Sequence, residues 1–357
     1  MQLDVGDWGL FCGPDGKQLV SVGGDPCGPV SARKVTKNTP RRLLLDESRV
    51  ARALQSGDPS TELVSHRGSS WVVTLRPVIT PRTGATVAVH AAVSSTDQEL
   101  PDPPLVGSWE WEIERGPDGQ PTPNRRSYWD RNLFRIYEVA PDVAERHRDH
   151  WETGEWANEL IDQADQMRVN SSIRDGLQDG LKGDWGVVRC LTCNIVTGYG
   201  SSSPGLRHLR LVGQIVPIHP EDEQIIMQGF SYEVPSTFHD LALEQDAGRV
   251  DDVLRGVMEL AGEPMAVVDA GTLDVLMTSP AWRNEDFGHV GGLGEIASED
   301  SGVLHSLIAE VASGSRNQNS MRIDLNRGDG SAQNVLLTAT GAQLGGRGRD
   351  VVVRLDL

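Results

Sequence analysis

The chain is poor in cysteine, in positive charge and in long apolar runs, and each shortage closes off a class of protein. Four cysteines in 357 residues are too few for a disulfide framework. Cys12, Cys27, Cys190 and Cys193 contain one C-x-x-C spacing, and no second one completes a zinc site. Cys190 and Cys193 fall on one expected strand, where an odd separation sends side chains to opposite faces, so they read as structural thiols rather than a metal or redox pair. Lys and Arg number 33 against 51 Asp and Glu, a formal charge of −18. That balance argues against nucleic acid as a partner, because nonspecific phosphate binding is carried by basic side chains. No stretch approaches the run of about eighteen apolar residues that reads as a membrane span, and the opening MQLDVGDWGLF lacks a basic-then-apolar signal pattern. The expectation is a cytoplasmic protein with no membrane span.

Catalytic signatures are missing as well: there is no G-x-S-x-G elbow, no H-E-x-x-H and no kinase set. The sequence predicts a noncatalytic protein without catalytic or metal-binding residues, although a triad assembled from distant positions leaves no local trace. Gly23-Gly24-Asp25 resembles the active turn of a diguanylate cyclase but runs on into Pro26-Cys27. Gly288, Gly291, Gly292 and Gly294 have neither the lead-in strand nor the lysine of a phosphate-binding loop and read as loop glycines.

What the chain does have is concentrated between Gly107 and Tyr137. Trp109, Trp111 and Ile113 alternate with Glu110, Glu112 and Glu114, which predicts a strand with one apolar face and one face of carboxylates turned to water. A Pro117-Asp118-Gly119 turn leads to the extended Ser127-Tyr128-Trp129. Leu133, Phe134 and Tyr137 then follow at helical spacing. The order W-x-W-x-I, turn, Y-W-D-x-x-L-F-x-I-Y resembles the start of a PAS domain, a small sensor module with a five-stranded antiparallel sheet and helices on one face. The following pattern agrees: Trp156, Leu160, Ala164 and Met167 stripe one helix, and Ile173, Leu177 and Leu181 a second. Strand-like runs then cover Gly186 to Val196, Arg207 to Ile218 and Gln224 to Val234, the last two joined by a His219-Pro220-Glu221-Asp222 turn.

The same plan recurs on both sides. From Leu3 to Ser95 a hairpin turning at Pro14-Asp15-Gly16 precedes a short helix with Val50, Ala53 and Leu54, then strands at Thr61 to His66, Ser69 to Thr80 and Ala85 to Ser94; residues 25–40 show no period. From Pro264 to Trp282 a second hairpin precedes a helix striped by Leu304, Leu307, Ile308 and Val311. Three strands follow, separated by turns at Arg327 to Gly330 and Gly345 to Gly348. The predicted fold class is α+β, three tandem PAS-like domains spaced by roughly a hundred residues, a plausible domain size. Their bounds are 1–96, 107–235 and 263–357, with a proline-rich linker at 97–106 and a connector over 236–262, whose helix Ala247–Ala261 is striped by Val250, Val253, Leu254 and Val257. This organisation resembles the triple-PAS signalling proteins of mycobacteria and related actinobacteria.

The resemblance implies a sensor whose modules hold a ligand between sheet and helices. It carries no flavin motif here, since N-C-R-F-x-Q is absent. Of the histidines that could face a haem, His147 and His150 sit in a charged run, His305 lies off its helix's apolar stripe, and His289 has no supporting pattern, so neither cofactor is expected. Trp109, Trp111, Trp129, Phe134, Tyr137, Trp156 and Trp185 supply walls for an apolar cavity in the central module, with Arg189 and Tyr199 as polar anchors. The same aromatic spacing also suits a filled core. Two functions follow: a signalling protein relaying a small molecule or protein partner through helical linkers, or an interaction scaffold with filled cores. A homodimer is compatible with either.

Overall fold

The structure is a computed structural model. It describes residues 1–116, 119–148, 150–152, 156–183, 185–201, 204–219, 222–238, 257–271, 273–285, 292–293, 297, 301–313, 315–326, 332–341 and 350–357. The fold is α+β, built on three antiparallel sheets.

The first sheet comprises β1 (Gly9–Cys12), β2 (Gln18–Val22), β3 (Asp25–Ser31), β4 (Ser60–His66), β5 (Ser69–Ile79) and β6 (Thr86–Ser95), in the order β3-β2-β1-β6-β5-β4. The predicted runs Thr61 to His66, Ser69 to Thr80 and Ala85 to Ser94 match β4, β5 and β6 to within one residue at each end; β3, inside the stretch without a period, was invisible because two prolines and a glycine interrupt it. Two short helices, α1 (Ala32–Val35) and α2 (Asn38–Pro40), a π-helical turn Arg41–Asp46 and α3 (Arg49–Ser56) follow. Phe11, Leu19, Val73, Leu75, Val89 and Val93 pack with Leu43, Leu44, Val50 and Ala53 between this sheet and its helices.

The second sheet holds β7 (Gly107–Arg115), β8 (Pro121–Trp129), β9 (Trp151–Glu152), β10 (Arg189–Thr197), β11 (Gly205–Ile215) and β12 (Gln224–Glu233), in the order β10-β11-β12-β7-β8-β9. The third holds β13 (Met265–Asp269), β14 (Val275–Thr278), β15 (Gln318–Asn326), β16 (Ala332–Gly341) and β17 (Asp350–Asp356), in the order β14-β13-β17-β16-β15. Among the described residues the third sheet has the expected five strands, and β3 and β9 add a sixth to each of the others. Without those additions, all three sheets share one order: second strand, first, fifth, fourth, third.

Helices among the described residues further include α4 (Arg131–Ile136), α5 (Pro141–Arg146), α6 (Gln163–Leu181), α7 (Pro280–Arg283) and α8 (Ser301–Ala312), with a π-helical turn at Trp156–Leu160. Asp130 caps α4 by accepting from the Leu133 amide at 2.7 Å. The two helices predicted between Trp156 and Leu181 divide differently: Ile161 and Asp162 interrupt the stripe early, and α6 then runs unbroken for 19 residues. Most of the proposed Ala247–Ala261 helix, including Val250, Val253 and Leu254, lies outside the described residues, as do the turns at 327–330 and 345–348.

The chain forms two compact units. One comprises Met1–Glu112, Ser127–His150 and Gly176–Asp240; the other comprises Ile113–Arg126, Trp151–Asp175 and Leu241–Leu357. In the first unit a second core joins two sheets face to face: Leu10, Cys12, Val20, Val78, Val87 and Ala88 meet Val212, Phe230, Tyr232 and Val234. The linker is fastened there too, because the Trp8 indole donates to the Pro101 carbonyl at 2.8 Å. In the second unit one face of the third sheet packs around Trp282, Leu304, Ile308 and Val311. On its other face Val267, Leu276 and Met277 meet Met167 and Met258.

The carboxylate face of β7 corrects the sequence reading. Glu110 and Glu112 are 0% and 5% exposed. Their cover is the turn between β5 and β6: Glu110 accepts from the Thr83 hydroxyl at 2.5 Å, Arg82 pairs with Glu112 at 2.8 Å, and the Ser108 hydroxyl donates to the Ile79 carbonyl at 2.6 Å. Periodicity identifies a polar face, but a partner some 30 positions earlier decides whether water reaches it.

Candidate functional site

The aromatic residues proposed for the central module separate into distinct settings. Trp109 and Trp111 stand side by side on β7, with ring centroids 5.7 Å apart and planes at 46°. The Trp109 indole crosses two glycines paired across β11 and β12, Gly213 and Gly229. A Cβ on Gly229 would come within 2.5 Å of that ring and 2.2 Å of the Val212 carbonyl oxygen, so no side chain fits. The Trp109 Nε1 donates to the Ser231 hydroxyl at 3.1 Å, satisfying its polar edge inside the core.

Trp129 heads a second group. Its centroid lies 4.5 Å from Tyr137 and 5.4 Å from Phe134, and its Nε1 donates to the Ser127 hydroxyl at 2.9 Å. Trp156 is buried in the π-helical turn of the second unit. Trp185 is 44% exposed, its Nε1 held by the Gly180 carbonyl at 2.8 Å. Arg189 pairs with Asp179 at 2.5 Å, and Tyr199 is half-buried, its carbonyl accepting from the Ala140 amide. The structure thus joins Trp109 to Trp111, and Trp129 to Phe134 and Tyr137, while Trp185 reaches into water.

Among the haem candidates, His147 and His150 are half-buried, the His150 ring standing 6.1 Å from Tyr128. His305 is exposed and its Nε2 lies 3.1 Å from the Gly271 carbonyl oxygen; His289 lies outside the described residues. Gly292 is described and Gly288, Gly291 and Gly294 are not.

Sequence reasoning missed a buried polar knot in the first unit. Arg210 on β11 is 0% exposed, and its Nη1 donates to the carbonyls of Val20 at 3.0 Å and Cys27 at 2.5 Å and to the Tyr232 hydroxyl at 2.9 Å. Its guanidinium also lies 5.1 Å over the Phe238 ring. Cys12, Cys27 and Cys190 lie near this pair. Burial pushes the thiols of Cys12 and Cys27 and the Tyr232 phenol above their ordinary ranges, the nearby Arg210 charge opposing it. Thiols held protonated are poor nucleophiles and poor metal ligands. No signal in the sequence marks Arg210, since alternate basic residues on a strand ordinarily face solvent.

The second unit carries two further ion pairs on the β13–β14 hairpin. Arg174 of α6 meets Asp269 at 2.6 Å, and Arg125 of β8 pairs with Asp274; Asp269 is 1% exposed. Asn170 and Gln163 of α6 also donate to the Leu276 and Thr278 carbonyls.

A cleft of about 240 Å³ opens in the first unit, lined by Asp15, Gly16 and Lys17 of the β1–β2 turn, Arg33 of α1, and Leu44, Leu45, Ser48, Val50 and Ala51 beside α3. Lys17 pairs with Asp15 and Arg33 with Asp46. Ser48 has a positive φ of 57° and gives α3 no side-chain cap. Among the described residues, no helix is long and apolar enough to cross a membrane.

No protein-family model and no curated protein matches the chain. Among solved structures, it is similar to an uncharacterized protein from Mycobacterium tuberculosis, at 18% identity and a TM-score of 0.66 over 99% of this chain and 96% of that one. That likeness establishes a shared fold. Partial matches include a domain of a sensory box sensor histidine kinase/response regulator from Geobacter sulfurreducens, with a TM-score of 0.24. The PAS domain of an HTR-like protein from Haloarcula marismortui matches with a TM-score of 0.23. Each is 18% identical and aligns with 29% of this chain and 92% of its own, too small a share to bear on the whole fold.

Proposed function

We propose that the chain is a noncatalytic cytoplasmic signalling protein of three PAS-like modules, in which a bound small molecule or protein partner is relayed between modules through packed helices and linkers. The observation that carries this reading is the strand order common to all three sheets, together with the buried polar contacts that tie neighbouring elements within each unit. A ligand acts in such an arrangement only through its differential affinity for two packings, and couplings of about 1 to 3 kcal/mol are typical. In the second unit the relay runs from Met167, Asn170 and Arg174 of α6 to β13 and β14, and we retain the Ala247–Ala261 segment as a further connector. Hydrogen exchange tests the relay: Arg174→Met is expected to raise exchange in both α6 and the β13–β14 hairpin. A change confined to the hairpin argues that nothing passes to the helix.

The second reading is a scaffold whose modules have filled cores and bind only proteins. The packing of Trp109 onto Gly213 and Gly229 favours it for the central module. Native mass spectrometry of the purified chain distinguishes the two, since a retained small molecule speaks for the sensor.

A further inference from the structure

The space between the first sheet and its helices is filled by Phe11, Leu19, Leu43 and Leu44, so any ligand of this module must sit elsewhere. The cleft at the β1–β2 turn is elsewhere. Its volume is about 240 Å³, just below the roughly 300–1,000 Å³ of ordinary ligand pockets. That size suits a single small molecule. The charges around it are mixed, with the cations Lys17 and Arg33 and the carboxylate of Asp15 on an exposed rim. Leu45 and Ala51, both part-buried, give it an apolar wall, with Leu44 and Val50 buried beneath. Two cations and two carboxylates, Asp15 on the rim and the Asp46 that pairs with Arg33, beside an aliphatic wall suit a ligand that itself carries both charges and an apolar side chain.

We propose that this cleft binds a free amino acid with an aliphatic or aromatic side chain. The ligand carboxylate meets Arg33 and Lys17 at the open first turn of α3, its ammonium meets Asp15, and its side chain covers Leu45 and Ala51. Binding exchanges pairs: Lys17 leaves Asp15 for the ligand carboxylate, so no charge is left without an opposite. The proposal rests on the sensor reading and names the ligand of that reading's first module.

Calorimetry with the full chain tests it, using L-leucine and L-phenylalanine as probes and 4-methylpentanoate and 3-methylbutylamine as analogues lacking one charge. Saturable binding of at least one amino acid is expected, at least tenfold tighter than either analogue. Asp15→Asn should weaken L-leucine tenfold or more without weakening 4-methylpentanoate, whose carboxylate no longer competes with Asp15 for Lys17, and Ala51→Trp should fill the cleft and abolish binding with the thermal unfolding transition retained. Absence of saturable heat from either amino acid at millimolar concentration overturns the proposal, as does binding indifferent to both substitutions. The relay is judged apart from this: binding at the cleft without any change in hydrogen exchange beyond the first sheet would support the site and count against the relay.

Discussion

His90 offers a direct test of the packing between the first and second sheets. It lies on β6 opposite Leu10, a member of the core that joins those sheets, and is 5% exposed. Its ring meets Trp8 edge-on at 6.2 Å, and its Nδ1 is buried with no hydrogen-bond partner. Burial lowers its pKa from 6.5 to about 4. Between those values the unfolded chain takes up a proton that the folded chain refuses. The contribution of His90 to stability is therefore complete above pH 6.5 and is lost as pH falls toward 4. From pH 7 to pH 5 the loss comes to about 2 kcal/mol. Urea unfolding of the wild type and of His90→Leu at both pH values isolates this share, since all other groups titrate alike in the two proteins. The variant should lose about 2 kcal/mol less than the wild type on acidification. Equal losses, or a His90 ring resonance titrating near 6.5 in the folded protein, would refute the burial argument.

Three other outcomes follow from named contacts. Gly229→Ala forces a methyl against the Val212 carbonyl and the Trp109 ring, and should cost at least about 1–3 kcal/mol in urea unfolding, with altered Trp109 emission. Asp269→Ala removes the 2.6 Å partner of the buried Arg174, leaving Asp175 at 3.9 Å, and should cost about 3–5 kcal/mol, whereas the double change with Arg174→Met should recover much of it; equal effects would deny the pairing. Glu110→Gln keeps the shape but weakens the acceptor for Thr83, and a loss of about 1–2 kcal/mol in thermal unfolding is expected.

Much of the fold was legible because strands with one wet face advertise themselves by alternation. The run Thr61 to His66 became β4, and Gln224 to Val234 became β12, each shifted by one residue. Hidden were the features whose cause lies far along the chain. Glu110 and Glu112 alternate as a surface face should, and only the turn holding Arg82 and Thr83 encloses them. Arg210 reads as one more basic residue in RHLRLVGQ, yet its partners are carbonyls about 190 residues away. The aromatic residues of the central module were conspicuous, but their setting depends on Gly213 and Gly229, whose lack of side chains carries no periodic signal.

The clasp between Trp8 and Pro101 bears on how the molecule can be taken apart. Cutting within 97–106 would strip Leu10, Val20 and Val87 from Phe230 and Tyr232 and leave Arg210 without its Val20 and Cys27 carbonyls. A central fragment beginning at Gly107 would thus present a greasy slab with a stranded cation at its middle, and should precipitate. Dissection of this protein has to keep the first sheet with the second.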